Sequence, residues 1–275
     1  MLKERPALRR LGFEAGHVTV SQREAFGKLA PDVQWVGTTD VVETLRLVKD
    51  AGEVEKIRAA VAVAEAAFGS VKALLAPGTR EQDFALELEF AMRRGGAEGT
   101  AFETIVASGA LGARPHHRAG VRPLAAGDFV TIDWGATVDG YNSDITRTVG
   151  LGRVTDEQRR IYGIVLEAQQ RAIQAIRPGR TGKEIDAVAR DFITSHGYGE
   201  AFGHSLGHSL GRDVHDGPGF SVRSDKLILE PGMVLTVEPG IYLEDWGGVR
   251  IEEDILVTET GCEVLTHLPN ALEVL

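Results

Sequence analysis

Four carboxylates occur on strand-like stretches of the sequence, and they are the first candidates for chemistry. Asp133 follows the apolar run FVTI, Asp144 precedes ITRTV, Glu238 follows VLTV, and Glu252 sits in VRIEEDILV. A carboxylate in an apolar strand is costly to bury unless it is paired or bound to a metal. If the four converge, their repulsion resists ionisation, and divalent cations relieve it. Four carboxylates allow two metals, about 3.5–4 Å apart, with some carboxylates bridging.

Three histidines lie close together in a glycine-rich stretch of the second half. The stretch FGHSLGHSLGRDVHDGPG contains His204, His208 and His215. Glycines permit tight turns and close backbone approach. One isolated histidine is more often structural, but three within such a short segment favour a functional role.

Helical signals that could position these residues occur twice along the chain. Apolar residues spaced three and four apart predict a helix over 54–75, and a second helix follows to about residue 94. The same order returns as two predicted helices over 156–176 and 181–195. The second helix of each pair opens with the pattern of a capping box, and the two patterns are Thr79 with Gln82 and Thr181 with Glu184.

The carboxylates repeat together with the helices. At a shift of 105 positions LAAGDFVTIDWG falls on LEPGMVLTVEPG, so that Asp133 matches Glu238. At a shift of 108 positions Asp144 matches Glu252. Helix caps, helix stops and acidic residues all match between the two halves, and this combined match argues against chance similarity. The sequence therefore predicts two helix–helix–strands halves related by a pseudo-twofold.

Four segments resemble the pita-bread metallopeptidase family, which contains methionine aminopeptidases, Xaa-Pro aminopeptidases, prolidases and creatinase. They are TIDWGATVDGYNSDITRT, GHSLGRDVHDGP, TVEPG and GVRIEEDILVT, and with the repeat the resemblance covers about residues 45–270. It implies an α+β pita-bread (creatinase/aminopeptidase) fold, in which two pseudo-symmetric halves form a curved antiparallel sheet covered by helices. It also implies five metal ligands, which are Asp133, Asp144, His208, Glu238 and Glu252.

The resemblance implies a role for each ligand. Asp144 and Glu252 would bridge two divalent metals, and Asp133 would bind one of them alone. His208 and Glu238 would bind the other. Oxygen-rich ligation with one imidazole suits Mn²⁺, Co²⁺, Fe²⁺ or Zn²⁺, and the family favours manganese or cobalt. A water between the metals would lose a proton near neutral pH and become the nucleophile, with Glu238 as its general base.

Further residues are expected beside the substrate. By the same resemblance, His215 and His116 line the substrate side as catalytic and binding residues, and His204, which lies nearby, is a further catalytic candidate. His116 belongs to RPHH, and its neighbour His117 leaves the assignment of the pair open. Xaa-Pro peptidases carry an arginine where Arg250 stands, whereas methionine aminopeptidases carry a glutamine-containing motif. Arg250 is expected to bind the substrate, where it could hold a terminal carboxylate, and a salt bridge to a ligand carboxylate is the simpler alternative role.

The resulting interpretation is a dinuclear-metal-dependent exopeptidase that hydrolyses the Xaa-Pro bond, as a Xaa-Pro dipeptidase or a Xaa-Pro aminopeptidase. A methionine-aminopeptidase-like enzyme is the main alternative, and Arg250 argues against it. A creatinase-type hydrolase or a non-catalytic member of the fold is expected to lack ligands that this sequence has. The expected partners are small peptides with proline in second place, and a second copy of the chain in a homodimer.

Composition argues against several other classes of protein. The formal net charge of −10 disfavours binding to nucleic acid or to an anionic membrane. No run of about 18 apolar residues occurs, so no membrane span is expected. The single cysteine, Cys262, rules out an internal disulfide and suits a reducing, cytoplasmic compartment.

The first fifty residues differ from the rest of the sequence. A strand over 17–20, a helix over 21–30 and a strand over 32–37 are predicted there, and they cannot bury much by themselves. Since Xaa-Pro peptidases usually carry a full α/β domain before the catalytic one, residues 1–50 are expected to be a remnant of that domain. Residues 51–275 would then be the catalytic pita-bread domain.

Overall fold

The computed structural model describes residues 8–275, and its contacts divide the chain into two compact units. The smaller unit runs to Leu45, and the larger one is Arg46–Leu275. The first residues of the predicted N-terminal segment, 1–7, lie outside the described residues. The origin of residues 1–50 as a domain remnant stays a prediction.

The smaller unit contains a parallel strand pair and a helix, namely β1 (Arg10–Glu14), α1 (Val20–Leu29) and β2 (Gln34–Thr38). The predicted helix and second strand are confirmed. The strand predicted over 17–20 is wrong, because Thr19 is the N-cap of α1. Its side chain accepts a hydrogen bond from the Gln22 backbone N–H, and the Gln22 side chain accepts one from the Thr19 backbone N–H.

The larger unit begins within α2 (Val41–Leu47). Its other helices are α3 (Ala51–Val71), α4 (Glu81–Arg94), α5 (Asp156–Ala175) and α6 (Gly182–Ser195). Among residues 8–275, none of the helices combines the length and the apolar character that a membrane span needs.

Every strand of the larger unit pairs with its sheet neighbours in an antiparallel arrangement. The strands are β3 (Gly99–Thr100), β4 (Ile105–Ser108), β5 (Phe129–Trp134), β6 (Ala136–Val138), β7 (Tyr141–Asn142), β8 (Ile145–Gly150), β9 (Val234–Val237), β10 (Gly240–Leu243), β11 (Gly247–Arg250), β12 (Glu253–Val257) and β13 (Cys262–Val264).

Each half of the larger unit buries its own apolar core between a helix pair and a three-stranded sheet. In the first half α3 and α4 pack with β4-β5-β8, and in the second half α5 and α6 pack with β13-β12-β9. The apolar stripe predicted over 54–75 supplies the buried face of α3. The two cores confirm the predicted division into two similar halves of helices and strands.

The two predicted capping boxes have different outcomes. Thr181 and Glu184 form one at the start of α6, as predicted. The pair Thr79 and Gln82 does not, because Arg80 is the N-cap of α4 and makes no side-chain cap bond. The first N–H groups of α4 instead donate to the backbone carbonyls of residues 122 and 120. A neighbouring loop therefore satisfies the donors that the side chains were expected to satisfy.

Glycines allow two loop segments to meet at backbone distance beside β9. A Cβ atom on Gly207 would collide with the Thr236 carbonyl, and one on Gly219 would collide with the Gly207 carbonyl and the His208 Cα. Since backbone atoms cannot rotate away as a side chain does, these positions require glycine.

Gly219→Ala is therefore expected to lower the free energy of unfolding by about 1–3 kcal/mol, the usual cost of overpacking. The matched control is Gly163→Ala inside α5, where a Cβ meets no atom within 4 Å. That change should raise stability by up to about 1 kcal/mol through helix propensity. Denaturant unfolding measures both, and wild-type stability of Gly219→Ala would contradict the close approach.

Candidate metal centre

In each half a β-hairpin separates the two candidate carboxylates. Asp133 lies in β5, β6 and β7 form the hairpin, and Asp144 directly precedes β8. In the second half Glu238 directly follows β9, β10 and β11 form the hairpin, and Glu252 directly precedes β12. Because β5 and β8 are antiparallel neighbours, as are β9 and β12, each pair of acids lies at one end of its sheet.

The segment that carries His208 runs alongside β9. The Thr236 N–H donates to the His208 carbonyl (2.9 Å), and the Glu238 N–H donates to the Leu206 carbonyl (2.8 Å). The His208 N–H donates to the Thr236 hydroxyl (3.1 Å). These bonds bring the only predicted imidazole ligand next to the strand that leads to Glu238.

The ligand atoms of Asp144, His208 and Glu252 lie within 4.8 Å of one another. His208 Nε2 is 3.5 Å from Asp144 Oδ2 and 3.5 Å from Glu238 Oε1. The other ring nitrogen, Nδ1, is 3.2 Å from the Ser209 carbonyl, which can only accept a hydrogen bond. Nδ1 therefore carries the proton of the neutral ring, and the Nε2 lone pair faces the carboxylates.

Asp133 stands slightly apart from this group. Its Oδ2 accepts a hydrogen bond from Arg250 Nη2 at 2.6 Å, and both side chains are largely buried. Its Oδ1 is buried without a hydrogen-bond partner. The ion pair matches the alternative role considered for Arg250, and the second oxygen of Asp133 is left for another ligand.

Burial and mutual repulsion perturb these carboxyl groups. Burial and the neighbouring Asp133 hold the pKa of Asp144 well above its usual range, and burial and Asp144 do the same for the pKa of Glu252. Burial raises the pKa of Glu238 to about 6. A divalent cation would offset this repulsion, and a set of carboxylates with one imidazole suits such an ion. The residues present therefore fit the predicted metal site.

Groups that the sequence did not single out support the ligands from behind. The Thr146 hydroxyl donates to Glu252 Oε2 at 2.6 Å, and the Asp144 N–H donates to Asp254 Oδ2 at 3.0 Å. Both supporting side chains are fully buried. They lie two residues from a ligand along their strands, so period-two alternation was the available signal.

A buried ion pair joins the two sheets next to the site. Arg147 Nη2 is 3.0 Å from Glu253 Oε2, and each side chain is 4% exposed. Arg147 Nη1 also donates to the Glu252 carbonyl at 2.6 Å. Because the arginine has several partners, its burial is compensated and β8 is fixed against β12.

The candidate ligands open into a cavity of about 550 Å³. All predicted site residues line it, namely Asp133, Asp144, His208, Glu238, Glu252, His116, His204, His215 and Arg250. The structure thus brings together every residue that the sequence nominated, while their individual roles stay predictions. Apolar side chains complete the wall, namely Phe102, Ile105, Pro115 and Val214.

The histidines beside the cavity have different surroundings. The His215 ring lies over that of His208, with centroids 4.0 Å apart. Partial burial and the neighbouring His208 lower the pKa of His215. His117 Nε2 is 2.9 Å from Glu81, a fully buried carboxylate, whereas His116 is exposed at the cavity. This difference separates the two histidines that the sequence left open.

His204 belongs to a chain of hydrogen bonds that ends at Arg250. His204 Nδ1 lies 2.8 Å from the Ser205 carbonyl, and Nε2 lies 2.8 Å from the Tyr242 hydroxyl. Arg250 Nη1 donates to the same hydroxyl at 2.9 Å. Burial lowers the pKa of His204 to about 4, so the ring is neutral near pH 7. The geometry gives His204 a positioning role, beside the catalytic role that the sequence predicts.

Asp254→Ala is expected to lower metal affinity by about 10- to 100-fold, the usual effect of removing a group that orients a ligand. It leaves the Asp144 N–H buried without its acceptor, which costs about 1–3 kcal/mol. Titration calorimetry with Mn²⁺ and Co²⁺ measures the affinity. The exposed Asp191→Ala on α6 is the control, and equal affinities of the two variants would contradict the role of Asp254.

Glu238 makes the stability of the metal-free protein depend on pH. Its pKa rises on folding to about 6, so its stabilising contribution is complete below its unfolded pKa and is lost as the pH rises through about 6. Relative to Glu238→Gln, the wild type should lose about 2 kcal/mol between about pH 4 and pH 7. Chemical unfolding in a chelator measures this difference. The exposed Glu244→Gln should show no such trend, and a constant difference for Glu238→Gln would refute the shift.

Comparison with known proteins identifies the family. The model of metallopeptidase family M24 matches residues 55–259. The Xaa-Pro dipeptidase of Pyrococcus furiosus is 44% identical over 262 residues, which cover 95% of this chain and 75% of that protein. This chain therefore spans about three quarters of the length of that relative.

Solved structures agree with this result. The Xaa-Pro dipeptidase from Bacillus anthracis superposes with a TM-score of 0.96 at 47% identity, over all of this chain and 76% of the other. The X-Pro aminopeptidase from Thermotoga maritima gives 0.95 at 44% identity, again over all of this chain and 76% of the other. The predicted pita-bread fold and metallopeptidase class are confirmed. The chain belongs to metallopeptidase family M24.

Proposed function

We propose that this protein is a dinuclear-metal-dependent exopeptidase that hydrolyses the peptide bond before proline, as a Xaa-Pro dipeptidase or a Xaa-Pro aminopeptidase. One observation carries the proposal: four carboxylates and one imidazole from two duplicated halves meet at a single cavity. Relatives with both names share 44–47% of its residues, which supports the substrate class and leaves both branches as candidates.

The ligands would divide between two ions. Asp144 and Glu252 would be shared by both ions, Asp133 would serve one of them, and His208 and Glu238 would serve the other. When bound, the ions would make a water acidic enough to attack at neutral pH and would polarise the scissile carbonyl. We propose Mn²⁺ or Co²⁺, with Zn²⁺ and Fe²⁺ as the alternatives that the same donors accept.

The protein's own residues would perform the proton transfers and hold the substrate. Glu238 lines the cavity, where it can take a proton and return it to the leaving nitrogen. His215 and His116 face the cavity and can hydrogen-bond the substrate carbonyl groups. Asp133 fixes Arg250 at the cavity wall, where its charge can face a carboxylate of the substrate.

The wall of the cavity suits a proline ring on the leaving side. The imide nitrogen of Xaa-Pro has no N–H, so the site needs no acceptor for it. Phe102, Ile105 and Val214 line the cavity with apolar surface on which such a ring could pack. An apolar pocket of this kind can contact a compact proline ring closely, and it offers few groups that would bind a flexible side chain.

The remaining expectations stay predictions beside this proposal. The substrates would be small peptides, and a second copy of the chain could complete a homodimer. The cytoplasmic location rests on the cysteine content. A methionine aminopeptidase is the competing enzyme, and Arg250 argues against it, because the resemblance pairs an arginine at this position with Xaa-Pro peptidases.

A peptide panel is expected to settle the substrate class. Ala-Pro, Ala-Pro-Ala, Ala-Ala and Met-Ala are incubated with chelated protein and then with added Mn²⁺ or Co²⁺. Only the two proline peptides should be hydrolysed, and only with metal. Cleavage of Ala-Pro alone identifies a dipeptidase, and preference for the tripeptide identifies an aminopeptidase. Hydrolysis of Met-Ala alone would overturn the proposal.

Asp144→Asn should lower kcat at least about 100-fold, because a neutral amide is a much weaker bridging ligand than a carboxylate. Its fold should survive, since the amide keeps the shape of the acid. Circular dichroism and metal analysis accompany the assay. Asp191→Asn, on the exposed face of α6, is the control, and wild-type turnover of a folded Asp144→Asn would count against the site.

A further inference from the structure

The loop that carries His215 has no regular secondary structure to hold it in place. Residues 211–219 belong to neither a helix nor a strand. Two of them, Val214 and His215, nevertheless line the cavity, and His215 lies over His208. A side chain on such a loop keeps its position only if other contacts fix the loop.

The residue next to His215 enters a buried ion cluster. The side chain of Asp216 is 2% exposed, and its two oxygens face Arg46 Nη2 and Lys49 Nζ, the latter at 3.3 Å. The Lys49 side chain is 1% exposed. Arg46 also bonds Asp213 at 2.6 Å, on the solvent side of the cluster. A buried lysine is costly without a counter-ion, so Lys49 and Asp216 depend on each other.

Backbone contacts also surround the ion cluster of Arg46, Lys49 and Asp216. The Asp216 N–H donates to the Ser209 carbonyl at 2.8 Å. A Cβ on Gly211 would collide with the Asp216 carboxylate and would lie 2.9 Å from Lys49 Cε. The Gly211 carbonyl accepts the Asn142 N–H at 2.9 Å, which ties the loop to the hairpin of the first half. Glycine at 211 therefore provides the space that the ion pair occupies.

The segment that supplies the two cations is fixed to the ligand strand. The Lys49 N–H donates to the Gly232 carbonyl at 2.8 Å, and Val48 forms a β-bridge with Met233. Met233 directly precedes β9, the strand that leads to Glu238. The cluster thus joins the loop of His215 to the strand of a metal ligand.

We propose that Lys49 is a positioning residue that, with Arg46, fixes His215 over the metal site through Asp216. The proposal deepens the proposed function and rests on it in assigning His215 to the substrate side. None of the ion pairs found in residues 8–275 joins Lys49 to a metal ligand. Its removal should therefore disturb the substrate side and leave the ligands in place.

A double-mutant cycle tests this coupling. Lys49→Met, which keeps an unbranched chain of similar length, should lower kcat/KM on a Xaa-Pro peptide about 10- to 100-fold, as expected for a misplaced catalytic group. In a His215→Ala background the same change should cost less than about twofold, because the group it positions is gone. Equal losses in both backgrounds would overturn the proposal, since a merely structural role acts without His215.

The matched control is Arg58→Met, which breaks a 2.7 Å pair with Glu263 on the same unit, away from this loop. It should leave kcat/KM and its dependence on His215 unchanged. Metal content is measured for every variant. Asp216→Asn, which keeps the side-chain shape, replaces Lys49→Met if the latter does not fold, and the same two outcomes decide.

Histidine NMR signals provide a readout that needs no activity. In the metal-free protein, the ring signals of His215 and His208 should shift in Lys49→Met, because the close contact between the two rings is lost. Those of His196 and His267 should not. Unchanged His215 signals would overturn the proposal. If the wild type hydrolyses no Xaa-Pro peptide, the proposed function fails while the NMR result still decides the role of Lys49.

Discussion

Desolvated like charges are the constraint on which the rest of this structure depends. Two such charges about 4 Å apart oppose each other by about 4 kcal/mol at an effective dielectric constant near 20. Asp144 and Glu252 are buried with ligand atoms within 4.8 Å of each other, and Glu238 and Asp133 lie beside them. Among residues 8–275, an arginine forms an ion pair with Asp133 and with none of the other three acids. Without cations the remaining acids can be buried only by holding protons, so the cluster is built for a bound metal.

The fold holds these acids together with the same strand arrangement in each half. In each half an antiparallel strand pair places two acids at the end of a sheet, with a hairpin between them along the chain. Polar groups behind the acids support them: Thr146 donates to Glu252, Asp254 accepts the Asp144 N–H, and Arg147 pairs with Glu253. These contacts fix the acids at the edge of the cavity. A cluster that lacked such support would be free to relax apart.

How much the sequence could predict depends on how far apart along the chain the interacting residues lie. Local periodicity predicted the buried face of α3, and the repeat predicted both halves and the acids they share. The capping box predicted at Thr79 does not form, because backbone carbonyls some forty positions later in the chain accept hydrogen bonds from the same N–H groups. The ion pair between Lys49 and Asp216 joins residues far apart in sequence, and no local pattern reports it. Asp254 lies two residues from Glu252 on the same strand, but its partner, the Asp144 N–H, belongs to the other half and no local pattern reports that contact.

The two kinds of candidate site residue rest on different elements. Strand ends carry the acids of the candidate metal centre, whereas loops carry the histidines that line the cavity. In the first half Glu81 is fully buried at the start of α4, where its carboxylate accepts a hydrogen bond from the Ser108 N–H and lies beside His117 Nε2. In the second half Asp186, buried on α6, accepts the Leu206 N–H. A buried acid on the second helix of each half thus fixes a segment beside the cavity, although the two acids occupy different positions on their helices.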